Sequence, residues 1–584
     1  MFINLKNIWL LLSREERVAG YILIVFMLIG MLLETFSIGL IIPVMSFLLK
    51  LGNENYKGTI PLNLNQKDII FFGAIFFISV YLVKTLFLGF LSWRQSKFIF
   101  ESQASLSERL LSKYIHSPYV FHLERNSSTL IRNVVSEVSQ YGINAISPSL
   151  ILISESLVFA GLVFLLVYIE PLGALFVLAL LGIASAIFYK TIRNQSLNWG
   201  NLRQYHEGLR IKHLQQGIAS AKDVKLLGRE NEFLDLFRQH NLQASKMAQF
   251  QHTLQLLPRL WLEFLGVAGI LTLITIMFTK GNSAETIVPT LALFAASAFR
   301  IIPSINKLLG ALQSLRYSMS VVNLLKQEFS LNEDTPSNLN CDSDNFIFKN
   351  KITFKAVSYK YPNSENYALL DINLNFVKGS MIGLIGMSGS GKTTIVDLLA
   401  GLLEPTSGKV LIDDLEIETI KSIWQRKLGY VSQVIYLSDD SIRRNVAFGV
   451  PEDEIDDDAV NRALKLSNLN DFISTQPLGV DSLIGERGVR LSGGQRQRIG
   501  IARALYHDPE LIILDEATSA LDLETEFDLM QTINCLKSKK TIIVIAHKLS
   551  TISNCDFVYK IEKGKIVQQA IPSGIYFANE SLIE

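Results

Sequence analysis

Gly386-Met387-Ser388-Gly389-Ser390-Gly391-Lys392-Thr393-Thr394 follows a strand-like apolar run, 381–385, and opens into 395–399, which reads as the first turns of a helix. Strand, glycine-rich turn, helix is the order a phosphate-binding loop needs. The glycines let the backbone curl until successive N–H groups and the helix N-terminus face one anion. Lys392 is placed to reach β- and γ-phosphates, and the Thr393 hydroxyl to meet magnesium. The candidate phosphate-binding residues are Gly386, Ser388, Gly389, Ser390, Gly391, Lys392, Thr393 and Thr394.

The rest of the chain says what this loop is attached to. Its 584 residues leave room for several domains, and with 49% of them hydrophobic the chain is too apolar for an ordinary soluble protein. Part of it is expected in a membrane. The 55 Lys+Arg against 54 Asp+Glu give a formal net charge of +1, without the basic surplus of a nucleic-acid binder. Cys341, Cys535 and Cys555 are widely spaced and form no C-x-x-C or other metal-ligand grouping, which fits thiols in a reducing compartment.

Residues 1–17 are amphipathic, and no small-residue cleavage site precedes the apolar run that follows, so they read as a helix lying on the inner membrane surface rather than a signal peptide. Six segments, 21–46, 69–91, 148–168, 172–188, 261–277 and 284–302, are apolar over about the 20 residues that cross a bilayer. Arg14, Arg17, Arg94, Lys97, Arg109, Lys113, Lys190, Arg193, Arg203 and Lys225 lie before span one, between spans two and three, or between four and five. The positive-inside rule places those segments, and both termini, in the cytoplasm. The outer loops are then 47–68, Glu170-Pro171 and 279–283. The inner segments 92–145 and 189–259 are polar with helical periodicity, so the spans are expected to continue into the cytosol as helices.

An Asn- and Ser-rich linker, 330–346, separates this region, 1–329, from 347–584, where strands alternate with helices as in an α/β domain. There Ile512-Ile513-Leu514-Asp515-Glu516 is an apolar strand ending in two carboxylates, the first suited to hold magnesium and the second to polarise a water. Leu491-Ser492-Gly493-Gly494-Gln495, followed by a helix over 496–505, resembles the signature motif of ABC ATPases.

That resemblance implies roles for further residues. Tyr361 matches the aromatic that stacks on adenine, Gln433 the glutamine that senses magnesium and the γ-phosphate, and His547 the switch histidine. Ser519-Ala520-Leu521-Asp522 matches the segment that crosses to a partner, and Gly485-Glu486-Arg487-Gly488 the one that touches membrane helices in exporters. The catalytic residues so implied are Glu516, His547 and Gln433, the magnesium ligands Thr393, Gln433 and Asp515, and the signature contacts Ser492, Gly493, Gly494 and Gln495. The whole resembles one half of an ABC exporter, an all-α six-helix transmembrane domain followed by an α/β P-loop ABC ATPase domain. ATP and Mg2+ are the implied cofactors. In that family the phosphate loop of one domain and the signature of another close on the same ATP, which implies a homodimer with composite sites. Segments 117–122 with 126–135, and 217–230, resemble the intracellular coupling segments of exporters, although their polarity also fits a solvated face.

Charges within the spans bear on the cargo, because an ionisable side chain in lipid costs at least ~2.5–3.5 kcal/mol on insertion scales and usually faces a cavity. Lys84 and Arg300 lie ~22–25 Å inward from the outer side of a ~30 Å core, and Arg259 opens span five at a similar depth. Three cations at one level suit an anionic headgroup; alternatively they snorkel to lipid phosphates or pair locally, with Glu34, Glu155 and Glu263 as acidic neighbours. The segments around them, with Glu34-Thr35-Phe36-Ser37, are similar to those of bacterial flippases of lipid-linked oligosaccharides, the PglK type. The resemblance implies arginine where Lys84 offers a point charge. It implies a polyprenyl-pyrophosphate-linked sugar as cargo, flipped outward across the bacterial inner membrane. A multidrug or lipid A-type exporter and an ATP-gated channel or regulatory ATPase are the rival readings.

Overall fold

The computed structural model describes residues 2–41, 44, 66–169, 171–279, 284–330, 346–518, 521–546 and 552–572. Contacts divide the chain into two units, Met1–Ser117 with Phe121–Thr335, and Pro118–Val120 with Pro336–Glu584.

Among the described residues the first unit is helical, its helices joined by short turns. It begins with α1 (Phe2–Leu11) and α2 (Arg14–Gly39), so 1–17 is not one surface helix as its amphipathicity suggests. The chain breaks at Ser13, whose hydroxyl accepts from Glu16 N at 3.2 Å while Glu16 Oε2 accepts from Ser13 N at 2.6 Å. This capping box starts a new helix that runs on into the first span. There follow α3 (Gln66–Ile115), the short α4 (Tyr119–Glu124), α5 (Ser127–Ile169), α6 (Pro171–Ala219), α7 (Ala221–Leu227), α8 (Glu230–Thr279), α9 (Ala284–Tyr317) and α10 (Met319–Ser330).

Each expected span falls on one of α2, α3, α5, α6, α8 and α9, the first being helical to Gly39; 47–65 and 280–283 of the expected outer loops lie outside the described residues. Among the described residues, Arg14–Gly39, Phe71–Ile115 and Ser127–Ile169 are long and apolar enough to cross a membrane. Helix α3 leaves Phe71, Phe72, Phe76, Ile78, Leu82 and Leu86 exposed, as a lipid-facing surface would. At 50 residues each, α3 and α8 are ~75 Å long, more than twice the ~30 Å hydrocarbon core, so they continue well beyond it. Small residues let helices meet closely: a Cβ on Gly161 of α5 would come within 2.4 Å of Thr35 Oγ1 on α2.

The second unit is α/β. Strands β1 (Lys351–Tyr359), β2 (Leu369–Val377), β4 (Ser407–Ile412) and β5 (Leu415–Glu416) form an antiparallel sheet in the order β2-β1-β4-β5. A second sheet has the order β10-β9-β3-β8-β7-β6, from β3 (Met381–Ile385), β6 (Leu428–Val431), β7 (Leu511–Asp515), β8 (Thr541–Ile545), β9 (Phe557–Glu562) and β10 (Lys565–Ala570). Its strands β6, β7, β8, β3 and β9 run parallel. In β3, β7 and β8 every residue is buried, which is why they read as unbroken apolar runs rather than alternating ones. Helix α11 (Lys392–Leu399) packs into the core between the two sheets through Ile395, Val396, Leu398 and Leu399. A separate cluster of Leu437, Ile442, Val460, Leu464, Ile499 and Tyr506 holds the helical part that carries α12 (Gly493–Leu505).

Because β3, β8, β7 and β6 are parallel, their carboxyl ends share one edge of the sheet. The segments leaving that edge are 386–391 after β3, Gln433 after β6, Glu516 after β7 and Ala546 after β8. Ligands of parallel α/β sheets bind along such an edge.

Candidate functional site

The phosphate loop owes its shape to glycine. Gly386, Gly389 and Gly391 have φ of 151°, 77° and 109°, and a Cβ on Gly386 would lie 2.2 Å from Ile561 O. Gly391 caps α11, so the loop feeds into that helix's N-terminus. Lys392 is buried, and its Nζ donates to Gly386 O at 2.7 Å and Met387 O at 3.0 Å, arching over the loop. Burial pulls its ammonium below the usual lysine value, against the opposing pull of Glu516 and Asp515. Ser390 Oγ is buried and has no hydrogen-bond partner among the described residues. A buried orphan hydroxyl, a buried cation and a glycine-shaped cradle fit a polyphosphate. Thr393 is exposed at the first turn, while Thr394 is buried with its hydroxyl 3.0 Å from Tyr361 Oη. The ring of Tyr361 stands edge-on to Tyr359, 4.9 Å between centroids, and is half-buried beside the loop.

The carboxylates lie on the neighbouring strand end. Asp515 closes β7 and is buried, and Glu516 follows with φ 49°, a left-handed backbone that turns it away from the strand direction. Gln433 Nε2 donates to Glu516 Oε2 at 2.8 Å, bringing two expected residues together from strands β6 and β7. Thr393, Gln433 and Asp515 offer only oxygen donors, the set a hard cation such as Mg2+ prefers. Bound there, that cation would supply charge neutralisation for the phosphates.

Two neighbours were not anticipated. Tyr430 Oη donates to Asp515 Oδ2 at 3.3 Å, and burial raises its phenol well above the usual tyrosine range. Asp397, buried on α11, is pushed up to about 6 by burial and then by the nearby Asp515 charge. The signal for Asp397 was present, a lone carboxylate within Ile395-Val396-Asp397-Leu398-Leu399.

The signature residues form a separate exposed helix end. Ser492 caps α12, accepting from Gln495 N at 3.2 Å while its own N–H donates to Gln495 Oε1 at 2.8 Å, and Gly493 and Gly494 make the first turn. Its side chain is exposed, so this helix N-terminus is open to an anion from outside. Asp522 caps the next helix, Leu523–Leu536, by accepting from Thr525 N at 3.1 Å and Thr525 Oγ1 at 3.0 Å. Those hydrogen bonds, the backbone one first, hold its carboxyl below the usual range. Ser519, Ala520 and His547 lie outside the described residues. Ser388 is exposed at the crest of the phosphate loop.

In the membrane unit the three expected cations are not equivalent. Lys84 and Arg300 converge on Glu34: Lys84 Nζ lies 3.7 Å from Glu34 Oε1, and Arg300 donates through Nε to Oε1 and through Nη2 to Oε2 at 3.0 Å. Arg300 Nη1 also donates to Ser304 Oγ at 3.0 Å and lies 3.2 Å from Glu155 Oε2. Glu155 further accepts from Ser304 Oγ and from Lys307 Nζ, both at 2.7 Å. Arg259 stands apart and exposed, paired with Glu263 at 2.7 Å. Arg259, Glu263 and Lys307 rim a cavity of about 630 Å³ between α8 and α9, whose walls include Val267, Ala298, Phe299 and Ile302. Lys307 escaped the sequence reading, although Arg300, Ser304 and Lys307 are spaced i, i+4, i+7 on one helix face.

Residues 369–519 match the ABC transporter family model. The chain is 32% identical over 466 residues to the ATP-dependent lipid A-core flippase of Burkholderia orbicola, covering 79% of this chain and 77% of that protein. It is 29% identical over 493 residues to the mouse mitochondrial ATP-binding cassette sub-family B member 10, with 81% and 67% covered. The fold matches the structure of a bacterial Atm1-family ABC exporter with ATP bound, TM-score 0.79 at 22% identity over 95% of both chains. The chain belongs to the ABC transporter family: it is an ATP-driven exporter whose ATPase domain is coupled to translocation across a membrane.

Proposed function

We propose that the chain works as a homodimeric flippase of the bacterial inner membrane, with both termini cytoplasmic, moving a polyprenyl-pyrophosphate-linked oligosaccharide to the outer leaflet. In each composite site the phosphate loop of one copy and the exposed Ser492 helix end of a second copy enclose ATP with Mg2+. Tyr361 stacks on adenine, His547 contacts the γ-phosphate and Asp522 lies where the copies meet. Glu516 takes the proton of the attacking water, and Gln433 orients that carboxylate through the 2.8 Å hydrogen bond.

The cavity between α8 and α9 carries the cargo reading, because it joins apolar walls to a cationic rim of Arg259 and Lys307. Such a lining matches a lipid chain ending in an anionic headgroup. Glu263 pairs with Arg259 and Glu155 with Lys307, while Lys84 and Arg300 share Glu34 beside them, so four cations face three carboxylates and one positive charge is left over. A second reading, export of lipid A-core, is favoured by the names of relatives such as that of Burkholderia orbicola.

Vesicles holding the folded protein, loaded with either a lipid-linked oligosaccharide or lipid A-core, separate the two. We expect the oligosaccharide to be flipped, and the Arg259→Ala, Arg300→Ala double variant to lower lipid flipped per ATP hydrolysed at least ~tenfold, as loss of charge-assisted contacts implies. Undiminished flipping by that variant refutes the headgroup site, and flipping of lipid A-core alone selects the second reading.

A further inference from the structure

Glu34 and Glu155 are carboxylates sunk among the helices of the membrane unit, their side chains 4% and 7% exposed. Unpaired, such groups are costly in an apolar setting; here charges from α2, α3, α5 and α9 offset one another. Three cations, Lys84, Arg300 and Lys307, face two carboxylates, so the network keeps one positive charge in excess. The cations are also the more accessible members, Arg300 at 22% and Lys307 at 53%. An approaching anion therefore meets guanidinium and ammonium groups before it meets a carboxylate.

The two carboxylates are held differently. Glu155 is gripped by Ser304, Lys307 and Arg300 Nη1, all from α9. Glu34 takes the other edge of the Arg300 fork, through both Nε and Nη2, and shares Lys84. That two-pronged edge is the one a guanidinium presents to phosphate as readily as to carboxylate. If it changed anions, Nη1 could stay on Ser304 and Glu155, so Arg300 would not be left bare during the exchange.

We propose that Glu34 is a built-in counter-anion, which occupies the Arg300 fork and Lys84 until a phosphate of an anionic lipid cargo displaces it. Glu155 and Ser304 are positioning residues that keep Arg300 aimed while this happens. The inference rests on the phosphate-bearing cargo proposed above and adds that the binding site is self-inhibited by its own carboxylate. Exchanging one buried charge pair for another avoids the full penalty of breaking one, so the cargo is held without being trapped.

The test uses the full-length protein in nanodiscs doped with a polyprenyl pyrophosphate or with the uncharged polyprenol, reading ATPase stimulation against lipid content. Glu34→Gln removes the competing charge and keeps the side chain's shape. We expect the half-saturating pyrophosphate content to fall about tenfold, with a lower maximal stimulation because release slows, and no such shift with the polyprenol. Glu34→Asp, which keeps the charge but withdraws it by one methylene, should shift the same way by a smaller factor and serves if Glu34→Gln does not fold. A thermal destabilisation of either variant with unchanged or raised half-saturation overturns the proposal and leaves Glu34 as a structural staple. Absence of pyrophosphate stimulation in the unaltered protein overturns the polyprenyl-pyrophosphate cargo proposed above, and with it the displacement of Glu34 by that cargo.

Discussion

Gln433 Nε2 donates to Glu516 Oε2 at 2.8 Å, tying the end of β6 to the end of β7. The carboxylate is thus positioned by an amide donor. Glu516→Gln keeps the shape, the neighbouring Asp515 and the phosphate loop but removes the base. We expect ATP binding to persist while phosphate release falls by about 10²–10⁴-fold. Retained radiolabelled ATP after gel filtration, beside a phosphate-release assay, checks both halves; hydrolysis at the unaltered rate would remove Glu516 from the base role.

Asp397 gives the ATPase domain a pH signature. Its folded-state value is raised to about 6 from an ordinary 3.8, so between those values the native state binds more protons than the unfolded one. Stability contributed by this group is therefore present at low pH and is lost as pH rises through 6. Asp397→Asn removes a buried charge that is ionised at pH 7.5, and should raise the thermal midpoint of the domain there. The gain should shrink as pH is lowered through 6 and toward 4. Scanning calorimetry of both proteins across that range decides it, and a gain independent of pH would contradict the assignment.

Ser492 serves a helix end and, by the proposed mechanism, a second copy's ATP. Ser492→Ala removes the cap to Gln495 N, which costs about 1 kcal/mol in stability. Hydrolysis should fall much further than that loss explains, while ATP binding at the phosphate loop changes little. Binding by fluorescent nucleotide and turnover by phosphate release, measured on the same preparation, separate the effects. Equal, small losses in both would confine Ser492 to its capping role.

The local geometry of the candidate ATPase residues was legible in the sequence where it is written in short runs. The loop at 386–394, the strand ending in Asp515-Glu516 and the cap at Ser492 each carry their own geometry within a few residues. Tyr430 was not legible, since its meeting with Asp515 depends on the pairing of Tyr430 with Ile513 across β6 and β7. The membrane charges were legible as a set of depths but not as pairs. Helical rise placed Lys84, Arg259 and Arg300 at one level, yet which carboxylate each meets depends on how helices far apart in sequence pack around Glu34 and Glu155. Ser13 shows the opposite case, a helix boundary signalled by S-x-x-E and overlooked because the amphipathic pattern ran through it.

The length of α3 has a mechanical consequence. A continuous 50-residue helix with no internal proline is a stiff rod of ~75 Å, so pivoting it by about 10° near one end swings the other end by ~13 Å. Small angular adjustments at one tip then become large displacements at the other, and the same leverage divides the force available there. A substitution that puts a joint into such a rod, for instance proline at an exposed position beyond the bilayer, would spare each end's local chemistry and yet uncouple one from the other.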